Sequence, residues 1–244
     1  MHHDLRLGDC LEVMATLAPA SVDLILCDLP YGTTQNKWDS VIPFEPLWAQ
    51  YKRICRGAIV LTAAQPFTSA LVASNFAEFR YSWVWEKEPS GNLNAKRMPM
   101  NAHEDVLVFG RGAYNPQGLR PTLRKRSSSD NSRTANYGEQ KREAYEQTVT
   151  GYPSTVLSFA KDREKLHPTQ KPVALMEYLI RTYTNEGDMV LDNCMGSGTT
   201  GVACANTGRN FIGIERDETY FDIARKRIGA AHESSTLLDA ACTA

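Results

Sequence analysis

The sequence predicts an α/β fold, a doubly wound, mostly parallel sheet covered by helices on both faces. Three observations predict it. Short apolar runs alternate with helical patterns over residues 5–110, the same alternation resumes over 172–228, and a glycine-rich turn in the second stretch joins a strand to a helix. Only about 46 residues follow Gly198, room for one further strand and helix. A sheet of this kind needs more strands than that. The others come from the N-terminal stretch, so the expected fold is a circularly permuted nucleotide-binding one with its second half-sheet first.

Each element has a local reason. Residues 5–8 read as a short strand, and Asp9 then opens a helix carrying Leu11, Met14 and Leu17, with Asp9 and Glu12 at the spacing of a capping box. Residues 22–27 are a continuous apolar strand, stopped by Asp28-Leu29-Pro30-Tyr31-Gly32. A helix over 46–56 places Leu47, Trp48, Tyr51, Ile54 and Cys55 on one face, with Gly57 as its stop. A strand at 58–62, a helix at 66–75 and strands at 81–85 and 105–109 follow, the last two separated by a Gly/Asn-rich stretch. After the middle of the chain come a helix at 172–183, a strand at 188–191, a helix after Gly198, a strand at 210–214 and a helix at 217–228. The tail, 229–244, is expected to be flexible.

The chain of 244 residues is 42% apolar and 23% charged, ordinary globular composition. Its formal charge of −1 excludes a uniformly basic binder, so any affinity for nucleic acid has to come from a local patch. No apolar run approaches the roughly 18–20 residues of a membrane span, and the first residues do not read as an export signal. Six cysteines fall singly, with no C-x-x-C pair, as expected of a reduced cytoplasmic enzyme without a disulfide or metal framework. The middle, 111–165, differs in texture: it is rich in Pro, Gly and Ser, has little periodicity, and reads as a small irregular basic insert. Between 111 and 142, eight basic residues, Arg111, Arg120, Arg124, Lys125, Arg126, Arg133, Lys141 and Arg142, stand against two acids, Asp130 and Glu139. Neutralising nucleic-acid phosphates is the natural use of that excess, with Tyr and Asn side chains between the charges to touch bases, and a solvated loop is the plain alternative.

Asp192-Asn193-Cys194-Met195-Gly196-Ser197-Gly198-Thr199-Thr200-Gly201 follows a strand and opens a helix. Gly196, Gly198 and Gly201 make G-x-G-x-x-G, and Glu215 stands 19 positions after Gly196, at the end of the next strand, where a carboxylate can hold ribose hydroxyls. No Gly-Lys-Ser/Thr occurs, which excludes a Walker A loop. A nicotinamide dinucleotide and a plain helix-start turn stay open on these residues. Four residues, Asp192 to Met195, precede the first glycine, where a dinucleotide fold turns at once. S-adenosylmethionine suits the gap better, because its ammonium group wants a carboxylate such as Asp192 near the strand end.

Asp28-Leu29-Pro30-Tyr31 sits at the carboxyl end of a buried strand, where such sheets place their sites. Pro30 biases Leu29 to an extended conformation and so directs its carbonyl. A carboxylate and a carbonyl side by side make a two-acceptor clamp for one NH₂ group. An exocyclic base amine is a poor nucleophile because its lone pair is delocalised into the ring. Two acceptors draw the nitrogen towards tetrahedral geometry and free that pair for attack on a methyl sulfonium. Tyr31 offers a face for an extruded base to stack on. An ordinary strand-ending turn is the plain alternative.

Joined to the glycine loop downstream, Asp28-Leu29-Pro30-Tyr31 resembles the amino-methyltransferase family that modifies N6 of adenine or N4 of cytosine in DNA. The order of motifs is similar to its permuted β-class, with the catalytic turn first, the target-recognition region in the middle and the cofactor loop last. His167-Pro168-Thr169-Gln170-Lys171-Pro172 resembles the family's segment before the cofactor loop. The resemblance spans about residues 4–110 and 165–228. It implies a catalytic half at 1–110, a DNA-contacting insert at 111–165 and a cofactor half at 166–228 of one Rossmann-like methyltransferase domain. It implies that Asp28 and the Leu29 carbonyl bind the target amine and that Tyr31 stacks on the flipped base. Asp192, Gly196, Ser197, Gly198 and Thr199 would hold the methionine part of S-adenosylmethionine, with Thr169 and Lys171 near its carboxylate. Glu215 would take the ribose, and Asp9 would lie near the cofactor's adenine amine. Leu29 departs from the Pro that many members carry, which a main-chain carbonyl tolerates.

The resemblance also implies double-stranded DNA as partner, in the cytoplasm of a bacterial, archaeal or phage-infected cell, with a cognate restriction endonuclease where the enzyme is half of such a pair. The small insert offers one subunit little DNA-facing area, which suits a homodimer. Asp at the head of the catalytic turn favours adenine N6, since the family's cytosine N4 enzymes more often begin it with Ser. Cytosine N4, an RNA or protein-amide substrate, and a non-catalytic DNA-binding protein on this fold are the alternatives. His167 as a general base, His103 as a DNA contact and Trp38 as a lid are weaker readings. Trp83 and Trp85 alternate along a strand as core residues.

Overall fold

A computed structural model describes the backbone of residues 2–36, 39–89, 95–126, 129–134, 138–142, 145–162 and 170–242, and their side chains except those of 126–142 and 235–242. The chain divides into two compact units, one of Met1–Asn115 with Thr155–Ala244, the other of Pro116–Ser154. The larger unit begins with β1 (His3–Leu7), α1 (Cys10–Ala15), β2 (Val22–Asp28), α2 (Phe44–Ile54), β3 (Cys55–Ala63), α3 (Phe67–Ser74), β4 (Phe79–Glu86) and β5 (His103–Gly110). The smaller unit holds β6 (Arg120–Arg126), β7 (Ser129–Thr134), β8 (Gly138–Arg142) and β9 (Tyr145–Thr150). The larger unit resumes with β10 (Val156–Ser158), α4 (Val173–Tyr183), β11 (Met189–Asp192), α5 (Thr199–Thr207), β12 (Asn210–Glu215) and α6 (Glu218–Cys242).

Among the described residues, eight strands of the larger unit form one sheet in the order β1-β12-β11-β2-β3-β5-β4-β10. Every neighbouring pair is parallel except those of β5, which runs antiparallel to β3 and β4. This is the expected mostly parallel sheet. Its two core layers explain why β2 reads as an unbroken apolar run. Ile25 and Cys27 pack on one face with residues of α1, α2 and α3, while Leu24 and Leu26 pack on the other with residues of α4, α5 and α6. Trp83 and Trp85 are core, as expected, their indole N–H groups donating to the Tyr183 hydroxyl at 2.6 Å and the Phe159 carbonyl at 3.0 Å.

The chain leaves β2 towards β3 and leaves β11 towards β12, on opposite sides, although β2 and β11 are hydrogen-bonded neighbours. A crevice therefore opens beyond their carboxyl ends. The first strand does not join the half-sheet built by the rest of the N-terminal stretch: β1 pairs with β12 at the opposite edge.

Three local expectations change, and one strand is added. Gly57 does not stop α2; Cys55 is already extended (φ −96°, ψ 129°), and Gly57 lies inside β3, where a Cβ would come 1.7 Å from the Asp23 carbonyl oxygen. The irregular insert contains two antiparallel ribbons, β6 with β9 and β7 with β8. They are polar strands with no apolar alternation to announce them. The helix expected to end at 228 runs on to Cys242, and three-residue β10, with Leu157 its buried residue, was too short for a sequence signal. No described helix is long and apolar enough to cross a membrane.

The His3 ring meets His232 of α6 edge-on, with centroids 5.1 Å apart, and both His3 nitrogens are buried without a hydrogen-bond partner among the described residues. Burial, then the positive charge of His232, pushes this imidazole down from 6.5 to about 4. Between those values the unfolded chain binds a proton that the folded chain refuses, so this group withdraws stability as pH falls through that window. The Tm is expected to fall between pH 7 and pH 5 by less in His3→Phe than in the wild type. Equal falls would assign the acid sensitivity to other groups.

Candidate active site

The crevice beyond β2 and β11 holds a cavity of about 560 Å³, within the size range of small-molecule sites. One wall is the turn after β2. Asp28, Leu29, Pro30 and Tyr31 all border the cavity. Leu29 buries its side chain in the core beneath α2, so its main chain is what it can offer a ligand. Tyr31 stacks on Phe67 (centroids 5.1 Å, 22° between planes), and its hydroxyl donates to Asp28 Oδ1 at 2.8 Å. Thr62, the register partner of Asp28 on β3, donates to the same oxygen. Burial, followed by the charge of Asp28, pushes the Tyr31 phenol well above its usual value, which keeps it a donor.

Asp28 Oδ2 accepts from Lys171 Nζ at 2.7 Å, and Lys171 also reaches Glu104 Oε2 of β5 at 3.1 Å. Glu104 is bonded in turn by Lys87. The result is a row of alternating charges in the cavity wall. Lys171 is 5% exposed and Asp28 22%. Burial alone would lower the Lys171 ammonium, but the two carboxylates outweigh it and raise it, so it stays charged.

The loop after Tyr31 is tied by one side chain. Asp39 accepts from the backbone N–H groups of Gly32, Thr33 and Thr34 at 2.8, 2.9 and 2.6 Å. Burial opposes its charge, yet the Thr34 hydroxyl and those N–H groups hold its carboxyl below the usual range. Gly32 has φ +68°, and a Cβ there would lie 2.8 Å from Val41, so the turn needs glycine.

The glycine loop after β11 makes the other wall. Asp192 is buried; Oδ1 accepts from Cys194 N at 3.0 Å and Oδ2 from the Thr200 hydroxyl at 2.6 Å. Burial pushes its carboxyl up to about 6 despite those hydrogen bonds. Ionised at neutral pH and bonded by neutral donors, it would gain most from a cationic ligand. Glu215 accepts from Gly196 N at 2.9 Å on Oε2, and from Arg216 N and Asp217 N, each at 2.9 Å, on Oε1. Gly196 (φ +50°), Ser197 and Thr199 border the cavity, whereas Gly198 serves conformation and packing. Its φ is +82° at the start of α5, and a Cβ would lie 2.9 Å from that of Ala224. Gly201 likewise makes room for α6, since a Cβ would lie 2.4 Å from Ile228 Cδ1.

Asp9 caps α1, its Oδ1 accepting from Leu11 N at 2.9 Å and Glu12 N at 3.3 Å, and it borders the cavity as well. Lys171, expected near the cofactor carboxylate, borders the cavity, where its ammonium is paired with Asp28 and Glu104. Thr169, His167 and Trp38 lie outside the described residues. In the smaller unit Arg120, Arg124 and Lys125 are exposed on β6, with Lys125 3.7 Å from Glu146. The side chains of Arg126, Arg133, Lys141 and Arg142 lie outside the described residues.

Sequence reasoning missed Thr62, Asp39, Glu104 and Arg227. Arg227 of α6 donates to the Ser197 carbonyl at 2.7 Å and to its hydroxyl at 3.0 Å, fastening the glycine loop. Only Thr62 had a usable signal, its place at a strand end, and that required the β2–β3 register.

The profile of a family described as DNA methylase matches residues 22–226. The chain is 28% identical over 256 residues to the Type II methyltransferase M.HinfI of Haemophilus influenzae, covering 91% of this chain and 67% of that protein. It is 26% identical over 262 residues to the Type II methyltransferase M.HpaI of Haemophilus parainfluenzae, covering 98% and 78%. Among solved structures, the M1.HpyAVI–SAM complex is similar at 27% identity and a TM-score of 0.63, covering 92% of this chain and 99% of that one. The cytosine-N4-specific PvuII DNA methyltransferase shares the fold at 15% identity and a TM-score of 0.65, covering 96% and 93%.

Asp39→Ala removes the acceptor of three loop N–H groups. Faster hydrogen exchange at Gly32, Thr33 and Thr34 and a stability loss of about 1–3 kcal/mol are expected. Unchanged exchange at these amides would show that other bonds hold the loop.

Proposed function

The chain belongs to the DNA methylase family of the N6-adenine/N4-cytosine type, and from that premise we propose that it transfers a methyl group from S-adenosylmethionine to N6 of an adenine flipped out of duplex DNA. The observation that carries this reading is the position of Asp28, facing the glycine loop of β11 across one cavity.

The residues present fit the cofactor. Asp192 is a buried carboxylate suited to an ammonium group, and Ser197 and Thr199 line the adjoining wall. Glu215 carries two donors on Oε1 and one on Oε2, which leaves Oε2 room for a ribose hydroxyl. S-adenosylmethionine supplies a methyl group made electrophilic by its sulfonium. The chain's own residues prepare the nucleophile. Asp28 and the Leu29 carbonyl each accept one amine hydrogen, which localises the nitrogen lone pair. Asp28 offsets the positive charge that develops on nitrogen, and the surplus proton leaves to solvent.

The choice of adenine rests on Asp at the head of the turn. Arg120, Arg124 and Lys125 would neutralise phosphates, and Lys125 can exchange its exposed partner Glu146 for one. The reading extends to a cytoplasmic enzyme acting as a homodimer, beside a restriction endonuclease that recognises the same site.

Incubation with unmethylated duplex DNA and S-adenosylmethionine, followed by mass spectrometry of the nucleosides, is expected to give N6-methyladenine. Asp28→Ala should lower that yield by roughly 10²–10³-fold. N4-methylcytosine would keep the clamp and overturn the choice of base, and no methylated nucleoside would overturn the reaction. Binding of S-adenosylhomocysteine, which keeps the ammonium group, should weaken as pH falls through about 6, where Asp192 takes a proton. In Asp192→Asn it should be weaker and pH-independent over that range; calorimetry at several pH values checks both.

A further inference from the structure

Lys171 pairs with Asp28 in the cavity wall at 2.7 Å, and the hydrogen-bonding capacity of the two groups is unequally spent. Asp28 Oδ1 already accepts two hydroxyl donors, from Tyr31 and Thr62, and two is what one carboxylate oxygen holds. Oδ2 accepts one, from Lys171. The vacant acceptor place of Asp28 is therefore on Oδ2, beside the ammonium. Lys171 has three hydrogens; one goes to Asp28 Oδ2, the 3.1 Å ion pair with Glu104 Oε2 engages at most a second, and the third has no hydrogen-bond partner among the described residues. Both residues border the cavity.

Resting on the reaction proposed above, we infer that Asp28 Oδ2 and Lys171 Nζ, 2.7 Å apart, act as one acceptor–donor couple that reads the edge of the target base. Oδ2 accepts a hydrogen of the exocyclic amine. Lys171 donates its third hydrogen to the unprotonated ring nitrogen bonded to the same carbon as that amine. The two base atoms are next-but-one neighbours, so hydrogen bonds from a couple of this spacing meet them side by side. Adenine presents this pair at N6 and N1, and cytosine at N4 and N3. Guanine at O6 and N1 and thymine at O4 and N3 present a carbonyl beside an N–H, the reverse order, and place acceptor against acceptor and donor against donor; guanine repeats the adenine order only at N2 and N3, on the edge next to its sugar. The couple thus admits adenine and cytosine and rejects thymine and the O6/N1 pair of guanine, leaving the choice between adenine and cytosine to the rest of the cavity. Glu104 and Lys87 hold the ammonium in place from behind. Lys171 is on this view a specificity-determining residue for the base, not an anchor for the cofactor.

The test replaces one atom of the substrate. The methylated site is first mapped with the wild-type enzyme. Duplex oligonucleotides then carry either adenine or 1-deazaadenine, which has C–H in place of the ring nitrogen, at the target position. Loss of that nitrogen makes the amine more electron-rich, so intrinsic reactivity would favour the analogue. The wild type is nevertheless expected to lose roughly 10- to 100-fold in kcat/KM, the worth of one hydrogen bond from a charged donor. In Lys171→Met both substrates should be slow and nearly equal, with the KM for S-adenosylmethionine little changed. A purely structural Lys171 would instead slow both substrates while preserving their ratio.

Wild-type enzyme that methylates the analogue as fast as adenine overturns the inference without any variant. So does Lys171→Met that keeps the full discrimination, or one that raises the cofactor KM alone. An enzyme found to modify cytosine is tested in the same way with 3-deazacytosine. One that methylates neither base overturns the reaction itself and this inference with it, a result the wild type alone makes visible.

Discussion

The parallel pairing of β2 with β11 brings together stretches of chain far apart in sequence, with Val190 opposite Leu24 and Leu191 opposite Ile25. Met189 N donates to Asp23 Oδ2 at 2.9 Å and secures the start of that pairing. Because the strands are parallel, both end on the same side of the sheet, and because the chain leaves them in opposite directions, neither following segment covers the ends. Asp28 and Asp192 therefore face one cavity. Each strand alone would place a carboxylate at a turn; paired, they place two carboxylates on one cavity.

The four acids that shape this site are held by donors before any ligand arrives. Asp39 gathers the loop after the catalytic turn, Glu215 ties Gly196 to the start of α6, Asp192 fixes the glycine loop, and Asp28 is fixed by two hydroxyls and an ammonium. Such bonds set the direction of each remaining lone pair, which is how a site reduces the reorganisation left to the reaction. The buried row of Asp28, Lys171 and Glu104 is weak evidence for stability, since desolvating such charges offsets much of their attraction. Its use is geometric, because three interlocked groups leave one another few alternative positions.

Several parts of the site were legible in the sequence because their signals are local. An apolar run ending in Asp-Leu-Pro-Tyr, and a strand, glycine turn and helix with Glu215 downstream, each state a backbone geometry within a few residues. Asp9 as a helix cap belongs to the same class. Other parts had no local signal. Lys171 lies in a motif whose family reading pointed it at the cofactor, while the fold turns its ammonium to Asp28, 143 positions away in the chain. Arg227 resembles any solvent-facing arginine of a helix until α6 packs beside the glycine loop. The polar ribbons of the smaller unit escaped notice for the opposite reason: their sequences carry no apolar alternation with a period of two.

The sequence by itself determined the architecture, the permuted order of the motifs and the identity of the two principal acids. Apolar periodicity and turn chemistry act between neighbours along the chain, and they survive without any knowledge of packing. Tertiary structure alone decided which acceptor place on Asp28 stays vacant, which ammonium stands beside it, and that the second and third glycines of the loop make room for α6. Those outcomes depend on contacts between β2, β3, β5, the segment before α4, and α6, and their relative positions follow from sheet order and from burial on two faces, not from any short pattern of residues.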